Sequence, residues 1–429
     1  MKSKYFFPLL MIGLLFAVFG FAAWLNSILI PYFQITLELN SVQTTLVTFA
    51  FFIAYVVMAL PSSWVLKKIG FKKGIVLGLL VMAFGSLLFV PAAYSRSYAM
   101  FLFGLFVMGT GQALLQTAAN PYVTILGPID SAGQRNSIMG VFNKVAGIAS
   151  QRILGPILLL NADSILSGLS AMSSTDKVNT LNQMAHRVIS PYIIITMLLI
   201  FMAVVMWLIA LPEVKDEEAN AETAGRHHRS IWQFPNLILG VLALFCAEGT
   251  ESITSYYIIP YGQSMGFSTA AAQLFVDYII YAMLAGYITG ILLIPKYLTQ
   301  SKALAYCAIL GIVFAIGAMS THGMSSVICI IGMGFCNALN WPCIWPLAID
   351  GLGRFTKTAA AFLIMAIAGD ALFPMLYAQL NLSFGPQGGV FLLMLLYIFI
   401  LAYATIGYKK KAWHFSPFGG GRGWNNNEN

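Results

Sequence analysis

Apolar runs long enough to cross a lipid bilayer recur along almost the whole of this chain of 429 residues. A helix needs roughly 20 apolar residues to span the hydrocarbon of a membrane. Only 9% of the residues are charged, against about 25% in a soluble domain. Twelve runs of suitable length lie between polar breaks, at 5–32, 42–66, 74–93, 98–123, 137–160, 192–211, 231–259, 270–294, 303–320, 326–349, 358–380 and 390–408. The runs exclude an ordinary globular protein and predict a multi-pass membrane protein.

These runs predict helices, because backbone groups in lipid must be hydrogen-bonded within their own segment and no run alternates in the manner of a membrane barrel strand. The expected fold class is therefore an all-α membrane protein with 12 transmembrane helices. The first run follows Lys2 and Lys4 but is too long for a cleavable signal peptide.

The distribution of Lys and Arg predicts the orientation of the chain. With both termini in the cytoplasm, 18 of the 23 basic residues fall in inside loops or at the termini, and only Arg96, Lys177 and Arg187 fall outside. This imbalance is typical of the positive-inside rule. The net charge of +8 thus belongs to loops beside the lipid bilayer, and no nucleic-acid partner is expected.

Prolines at matching places indicate that the chain is duplicated. Pro31 and Pro260 lie 229 positions apart, Pro121 and Pro342 lie 221 apart, and Pro156 and Pro374 lie 218 apart. Three matches in chain order predict two pseudo-symmetric six-helix bundles, the plan of the major facilitator fold, with a substrate site between them near the bilayer midplane. The expected divisions are a first bundle, a cytoplasmic linker, a second bundle and a disordered tail, at 1–212, 213–232, 233–414 and 415–429.

Motifs of catalysis and cofactor binding are absent from the sequence. There is no phosphate-binding G-x-x-x-x-G-K-[ST] loop and no H-E-x-x-H, C-x-x-C or G-x-S-x-G pattern. The five Cys lie inside apolar runs without the spacing of metal ligands or of a disulfide framework. We therefore expect no enzyme, no cofactor and no metal site.

Several short stretches resemble one branch of the major facilitator transporters. The chain is similar to the glucose/galactose branch of the fucose:proton symporter family, and the resemblance covers nearly its whole length. It implies a monomeric sugar permease of the inner membrane, usually driven by protons. The matching stretches are LLQTAANPY at 114–122, GFKKG at 70–74, NSILIP at 26–31, GTE at 249–251 and AIDGLG at 348–353.

Two departures from that family concern its coupling residues. The first helix of the family has an Asp where this chain has Ser27, and the fucose branch has a proton-carrying Glu in its fourth helix where this chain has Gln116. The resemblance therefore implies that coupling through these two positions is lost.

Six ionisable residues lie at membrane depth, where a charge needs a partner or water. Lys144 and Arg152 belong to the first bundle, whereas all the acids belong to the second, so any ion pair must cross between the bundles. The acids are Glu248, Glu251, Asp277 and Asp370. Arg152 and Asp277 each lie roughly 13 Å from the outer end of their helix, which predicts an external gate that forms when the transporter faces inward. The alternative is a static pair or two separately solvated charges.

Polar residues at helical spacing predict a sugar site. Gln112, Gln116 and Asn120 recur on one face of the fourth helix, and Asn337 and Trp341 on one face of the tenth. Amides pair with hydroxyl groups, and aromatic rings cover the apolar face of a sugar. Further candidates are Asn26, Ser27, Asn143, Lys144 and Glu251. The alternative is that these amides join helices to one another.

Together these observations predict a secondary transporter that moves a hexose or related saccharide by alternating access. Protonation of Glu251, Glu248 or Asp370 is the first choice for coupling, Na⁺ at the same acids the second, and uniport the third. Lys144 and Arg152 leave an acidic sugar open as substrate. A transport-inactive sensor, or a lipid or drug carrier on the same fold, is the alternative of a different class.

Overall fold

The computed structural model describes residues 6–39, 41–209 and 230–410, and these residues are almost entirely helical. The first two ranges are called the N-terminal half below, and the third is called the C-terminal half. The helices are α1 (Phe6–Thr36), α2 (Ser41–Leu87), α3 (Phe89–Ser95), α4 (Tyr98–Ile125), α5 (Ala132–Leu158), α6 (Ala162–Gly168), α7 (Ser174–His186), α8 (Ile189–Leu208), α9 (Pro235–Tyr256), α10 (Ile258–Ser264), α11 (Thr269–Leu293), α12 (Gln300–Ser320), α13 (Gly323–Asn337), α14 (Asn340–Ile349), α15 (Thr356–Met365), α16 (Gly369–Phe384) and α17 (Pro386–Thr405).

Ten helical segments of the described ranges are long and apolar enough to cross a membrane. One of them, Phe49–Ser95, includes the expected run 74–93 and most of the run 42–66. The ten do not include α5, whose 27 residues carry Arg135, Lys144 and Arg152. The all-helical fold is confirmed, whereas twelve crossings and cytoplasmic termini stay predictions.

Gly70 separates the two expected runs inside α2. Its φ of 79° and ψ of 173° are not helical, and a positive φ of this kind is accessible to glycine without the steric penalty of a Cβ. The chain therefore turns at Gly70 and continues as a second helical segment.

Three expected spans of the C-terminal half are interrupted, the first near its end and the other two near their middle. Tyr257 separates α9 from α10, residues 338–339 separate α13 from α14, and a 3₁₀ turn at Ala366–Ala368 separates α15 from α16. Interrupted helices of this kind accompany substrate sites in transporters. Because a 3₁₀ turn has 3.0 residues per turn instead of 3.6, side chains on the two sides of such an interruption do not keep the face of a continuous α-helix, which matters for the predicted sugar residues.

The chain between α5 and α8 forms a small cap, made of α6 and α7. The hydroxyl of Tyr32 in α1 donates to the carbonyl oxygens of Met184 and Ala185 in α7, at 2.9 and 2.8 Å. Lys177 of α7 also forms an ion pair with Glu38. The cap is thus fastened to α1 within the N-terminal half.

The two halves contact each other at the inner end, defined as the end where α4 finishes and α5 begins, which is predicted to be cytoplasmic. The amide of Gln134 donates to the carbonyl of Ile291 at 2.6 Å, and that of Gln300 donates to the carbonyl of Ile129 at 2.5 Å. The ring of Tyr287 fills the space beside Gly140, so that α5 and α11 lie in close contact there. These contacts close the inner end.

The boundaries of the expected domains are only partly covered. Of the predicted linker at 213–232, residues 213–229 lie outside the described residues, and so does the predicted tail at 415–429. The division into two bundles at these positions therefore stays a prediction.

Candidate functional site

A cavity of about 140 Å³ lies between the two halves. Because one water molecule needs about 10–15 Å³ by this measure, the space corresponds to on the order of ten waters. Residues of α1, α2, α4 and α5 line it from the N-terminal half, and residues of α9, α11, α14 and α16 line it from the C-terminal half. Its position matches the site predicted from the duplication.

A buried ion pair crosses the cavity. Lys144 of α5 pairs with the Oε1 atom of Glu251 of α9, and the two side chains are 6% and 26% exposed. The ammonium group also lies 5.0 Å from the centre of the Trp24 ring in α1, within the range of a cation–π contact. Lys144 thus holds one acid from the opposite half and one aromatic ring from its own half.

Two further carboxyl groups line the same cavity. Glu248 of α9 and Asp370 of α16 lie within hydrogen-bonding reach of each other, and both lie in the electrostatic field of Lys144. The helices are close here, since a Cβ added to Gly369 would lie 3.2 Å from the Cβ of Glu248. The cavity therefore contains three acidic side chains and one basic side chain among the described residues.

Three of the predicted amides line the cavity from the N-terminal half. The Nε2 group of Gln112 donates to the carbonyl of Phe19 at 3.3 Å, and that of Gln116 donates to the hydroxyl of Tyr55 at 3.1 Å. Asn143 donates to the carbonyl of Phe16 at 3.4 Å. The Oε1 atom of Gln112 is buried without a hydrogen-bond partner among the described residues.

Asn120 and Trp341 form a bond across the two halves. The indole Nε1 of Trp341 in α14 donates to Oδ1 of Asn120 in α4 at 3.3 Å. Trp341 lines the cavity and stacks on Trp345, with 5.3 Å between ring centres and 23° between planes. Asn120 is 1% exposed and lies behind the cavity wall. Asn120 therefore holds the wall in place instead of contacting a solute in this state.

Asn337 is the predicted sugar residue that the structure places elsewhere. Its Oδ1 atom accepts from Thr250, Tyr397 and Asn340, and its Nδ2 group donates to Thr250 and Thr254. The side chain is 2% exposed and does not line the cavity. Because its polar atoms are already bonded, Asn337 joins α9, α13 and α17, which corresponds to the alternative reading of the amides.

The predicted residues of the first helix are only partly described. Asn26 and Ser27 belong to α1, but their side chains lie outside the described part of the structure. Trp24 and Phe19 of the same helix do line the cavity. Any contact of Asn26 or Ser27 with a solute therefore stays a prediction.

Arg152 and Asp277 form the predicted ion pair. One guanidinium nitrogen lies 3.2 Å from Oδ2 of Asp277, and the side chains are 67% and 33% exposed. The pair lies outside the cavity lining and exists while the inner end is closed. The role of the pair as an external gate stays a prediction.

Several residues that line the cavity are not among those predicted from the sequence. Asn136 of α5 is 3% exposed, and neither polar atom of its amide has a partner among the described residues. Its spacing of eight positions before Lys144 places both on one helical face, which could have identified it. Tyr55, Tyr256 and Tyr287 also line the cavity, but an aromatic residue in an apolar run looks like any core residue.

The described residues offer no metal site, because no group of three or more His, Cys, Asp or Glu side chains among them is arranged to hold an ion. The cavity is a polar site that contains both amide groups and carboxyl groups. It can bind hydroxyl groups through amides and can carry a proton on its carboxyl groups.

Comparison with known proteins identifies the family of the chain. The sequence pattern of the Major Facilitator Superfamily matches residues 12–374. The chain belongs to this superfamily. Its fold and its family are those of multi-pass membrane transporters, and the relatives described next are transporters, not enzymes.

Two relatives and one solved structure show how far the likeness extends. A glucose/galactose transporter of Brucella abortus biovar 1 (strain 9-941) is 32% identical over 411 residues, which cover 95% of this chain and 96% of the relative. The L-fucose-proton symporter of Escherichia coli (strain K12) is 28% identical and covers 86% of each chain. The crystal structure of the superfamily transporter FucP in the outward conformation superposes with a TM-score of 0.81, at 26% identity, over 94% of this chain and 99% of that chain. The resemblance predicted from the short motifs is confirmed.

Proposed function

We propose that this protein is a symporter of the inner membrane that moves an uncharged hexose or related saccharide together with a proton. The main support for this proposal is the cavity between the halves, which is lined by amides, aromatic rings and two neighbouring carboxyl groups. The glucose/galactose and fucose carriers named above support the sugar class.

The lining of the cavity supports a hydroxylated solute over a lipid or a drug. Gln112, Gln116 and Asn143 supply amide groups that can pair with neighbouring hydroxyls. Trp24, Trp341 and the tyrosines supply flat apolar faces for the C–H side of a sugar ring. A carrier of apolar molecules would not need so many polar groups at its centre.

The proton carrier in this proposal is the pair formed by Glu248 and Asp370. Two carboxyl groups in contact readily hold one proton between them, because a second negative charge beside the first is unfavourable. The positions that carry coupling acids in the family are Ser27 and Gln116 here. The acids of the C-terminal half thereby take over the role that the N-terminal half has lost.

Alternating access in this proposal begins from the closed inner end. A sugar and a proton enter the cavity, the halves rotate, and the contacts at the inner end separate, including the bond between Asn120 and Trp341. The sugar and the proton then leave on the inner side. No atom is transferred to the sugar, and the proton gradient drives its accumulation.

Uptake by proteoliposomes tests the proposal. The purified protein is reconstituted and supplied with radiolabelled glucose, galactose and fucose, under an inward proton gradient, an inward Na⁺ gradient, or neither. We expect accumulation of at least one sugar above equilibrium only with the proton gradient. Accumulation driven by Na⁺ alone would replace the proton with Na⁺, equilibration without accumulation would indicate a uniporter, and the absence of any uptake would overturn the sugar proposal.

A further inference from the structure

The basic residues that left an acidic sugar open as substrate are both occupied. Arg152 is exposed, lies outside the cavity lining and pairs with Asp277. Lys144 lies inside the cavity, but its ammonium group already holds the carboxylate of Glu251. The one cationic side chain of the described cavity therefore has a carboxylate in the place where the carboxylate of an acidic sugar would bind.

We propose that Glu251 is the residue that sets the charge selectivity of the cavity, by acting as a built-in carboxylate on Lys144 that excludes acidic sugars. This inference rests on the proposed function as a sugar carrier, because it assigns the substrate class of the same site. It also predicts that removal of the Glu251 carboxylate converts the cavity into a site for uronates.

The balance of charges in the cavity supports exclusion. Glu248 and Asp370 face Lys144 from α9 and α16, in addition to Glu251. A uronate that entered the intact cavity would bring a fourth carboxyl group toward a single ammonium group. Like charges repel strongly where water is scarce, and the single ammonium group of Lys144 is already paired with Glu251.

The same balance explains why the loss of Glu251 would recruit an acidic sugar. A buried ammonium group without a counter-ion is unfavourable, and the side chain of Lys144 is only 6% exposed. A uronate in place of Glu251 would restore the original number of charges in the cavity. The truncation of Glu251 to alanine also vacates the volume that the carboxylate of the sugar needs.

The test compares sugars that differ only at C6. Glucose and glucuronate, and galactose and galacturonate, are titrated against the full-length wild-type protein and against Glu251→Ala in detergent at one pH. Binding is followed by thermal stability and by tryptophan fluorescence, since the Trp24 ring lies 5.0 Å from the Lys144 ammonium. We expect the wild type to prefer the neutral sugar, and Glu251→Ala to gain at least about tenfold in affinity for a uronate, the factor that corresponds to one modest interaction.

Two controls assign the gain to Lys144. In the double variant Lys144→Ala with Glu251→Ala, the affinity for uronates should return to about that of the wild type, because the ammonium group is gone. Asp277→Ala removes the acid from the other ion pair across the halves and leaves an exposed arginine, so it should gain no uronate binding in the cavity. If Glu251→Ala does not yield folded protein, Glu251→Gln removes the charge at nearly unchanged size and serves in its place.

The outcomes separate this inference from the proposed function. A wild type that binds a uronate as tightly as its neutral partner, or a Glu251 variant that binds neutral sugars but gains no uronate affinity, overturns the inference while the sugar carrier stands. A uronate gain that persists without Lys144 also overturns it. A wild type that binds no sugar of this panel and transports none of the three sugars supplied to the proteoliposomes overturns the proposed function, whereas a uronate gain in Glu251→Ala would still support the role of Glu251.

Discussion

The two walls of the cavity differ in chemistry. The N-terminal half contributes the amides of Gln112, Gln116 and Asn143 and one base, Lys144, whereas the C-terminal half contributes the carboxyl groups of Glu248, Glu251 and Asp370. Amides suit the recognition of hydroxyls, and carboxyls suit the carriage of a proton. In the proposed function, the amides of the first half bind hydroxyl groups of the sugar, and Glu248 and Asp370 of the second half carry the proton.

The largest effect is expected where the two walls meet. Removal of one partner of a buried ion pair costs about 3–5 kcal/mol, so Lys144→Ala should abolish uptake and lower the thermal stability of the protein. The exchanged pair, Lys144→Glu with Glu251→Lys, should recover stability. Stability of Lys144→Ala equal to that of the wild type would show that the pair does not hold the walls together.

The proposed coupling role of the C-terminal wall is tested at Asp370. Asp370→Asn cannot release a proton, so accumulation under a proton gradient should disappear while exchange of sugar across the membrane continues. Uptake driven by a gradient and counterflow at equal pH are measured on the same vesicles. Glu248→Gln should show the same loss of accumulation as Asp370→Asn. If both variants still accumulate sugar under a proton gradient, coupling does not depend on these two carboxyl groups.

An amide of the C-terminal half should act on stability, not on sugar affinity. Asn337 is bonded to three helices, and the loss of a satisfied buried partner costs about 1–3 kcal/mol. Asn337→Ala should therefore lower the unfolding temperature and leave the dissociation constant of the sugar unchanged. A selective loss of affinity would return Asn337 to the sugar site.

Amides of the N-terminal wall should show the reverse pattern. Gln116→Ala should weaken sugar binding about tenfold, as expected for one or two hydrogen bonds, with little change in the number of protons moved per sugar. Calorimetric titration gives the affinity, and simultaneous recording of pH and uptake gives the ratio. A changed ratio at unchanged affinity would contradict the division between the walls.

The smallest effect is expected at the exposed pair outside the cavity. Exposed ion pairs contribute about 0–1 kcal/mol, so Arg152→Asp should slow transport by only about threefold. Combination with Asp277→Arg should restore the rate if the pair acts as a gate. Failure of the double reversal to restore it leaves the pair without a gating role.

The sequence predicted the helical fold, the four acidic and basic residues of the cavity and three of its four amides, but the pairing of side chains needed the structure. Arg152 and Asp277 could be paired by depth, because each lies on an uninterrupted helix, α5 or α11. The sequence assigned Lys144 no definite partner, since three acids lie at similar depth.

An interruption of the tenth predicted helix explains why Asn337 does not line the cavity although Trp341 does. Asn337 and Trp341 share one face only if the tenth helix is continuous. Because α13 ends at Asn337 and α14 begins at Asn340, the two side chains point to different surroundings. On α4, which continues through Gln112 and Gln116, the same spacing argument correctly placed two amides in the cavity wall.

The bond between Asn120 and Trp341 shows what a difference between the two halves permits. The two residues lie 221 positions apart, the same separation as Pro121 and Pro342, so they occupy equivalent places in the repeat and meet where the two repeats face each other. In a dimer of identical units each position would face its own copy, and an indole, which only donates, could not bond to another indole. Joined repeats can instead place a donor on one side and an acceptor on the other.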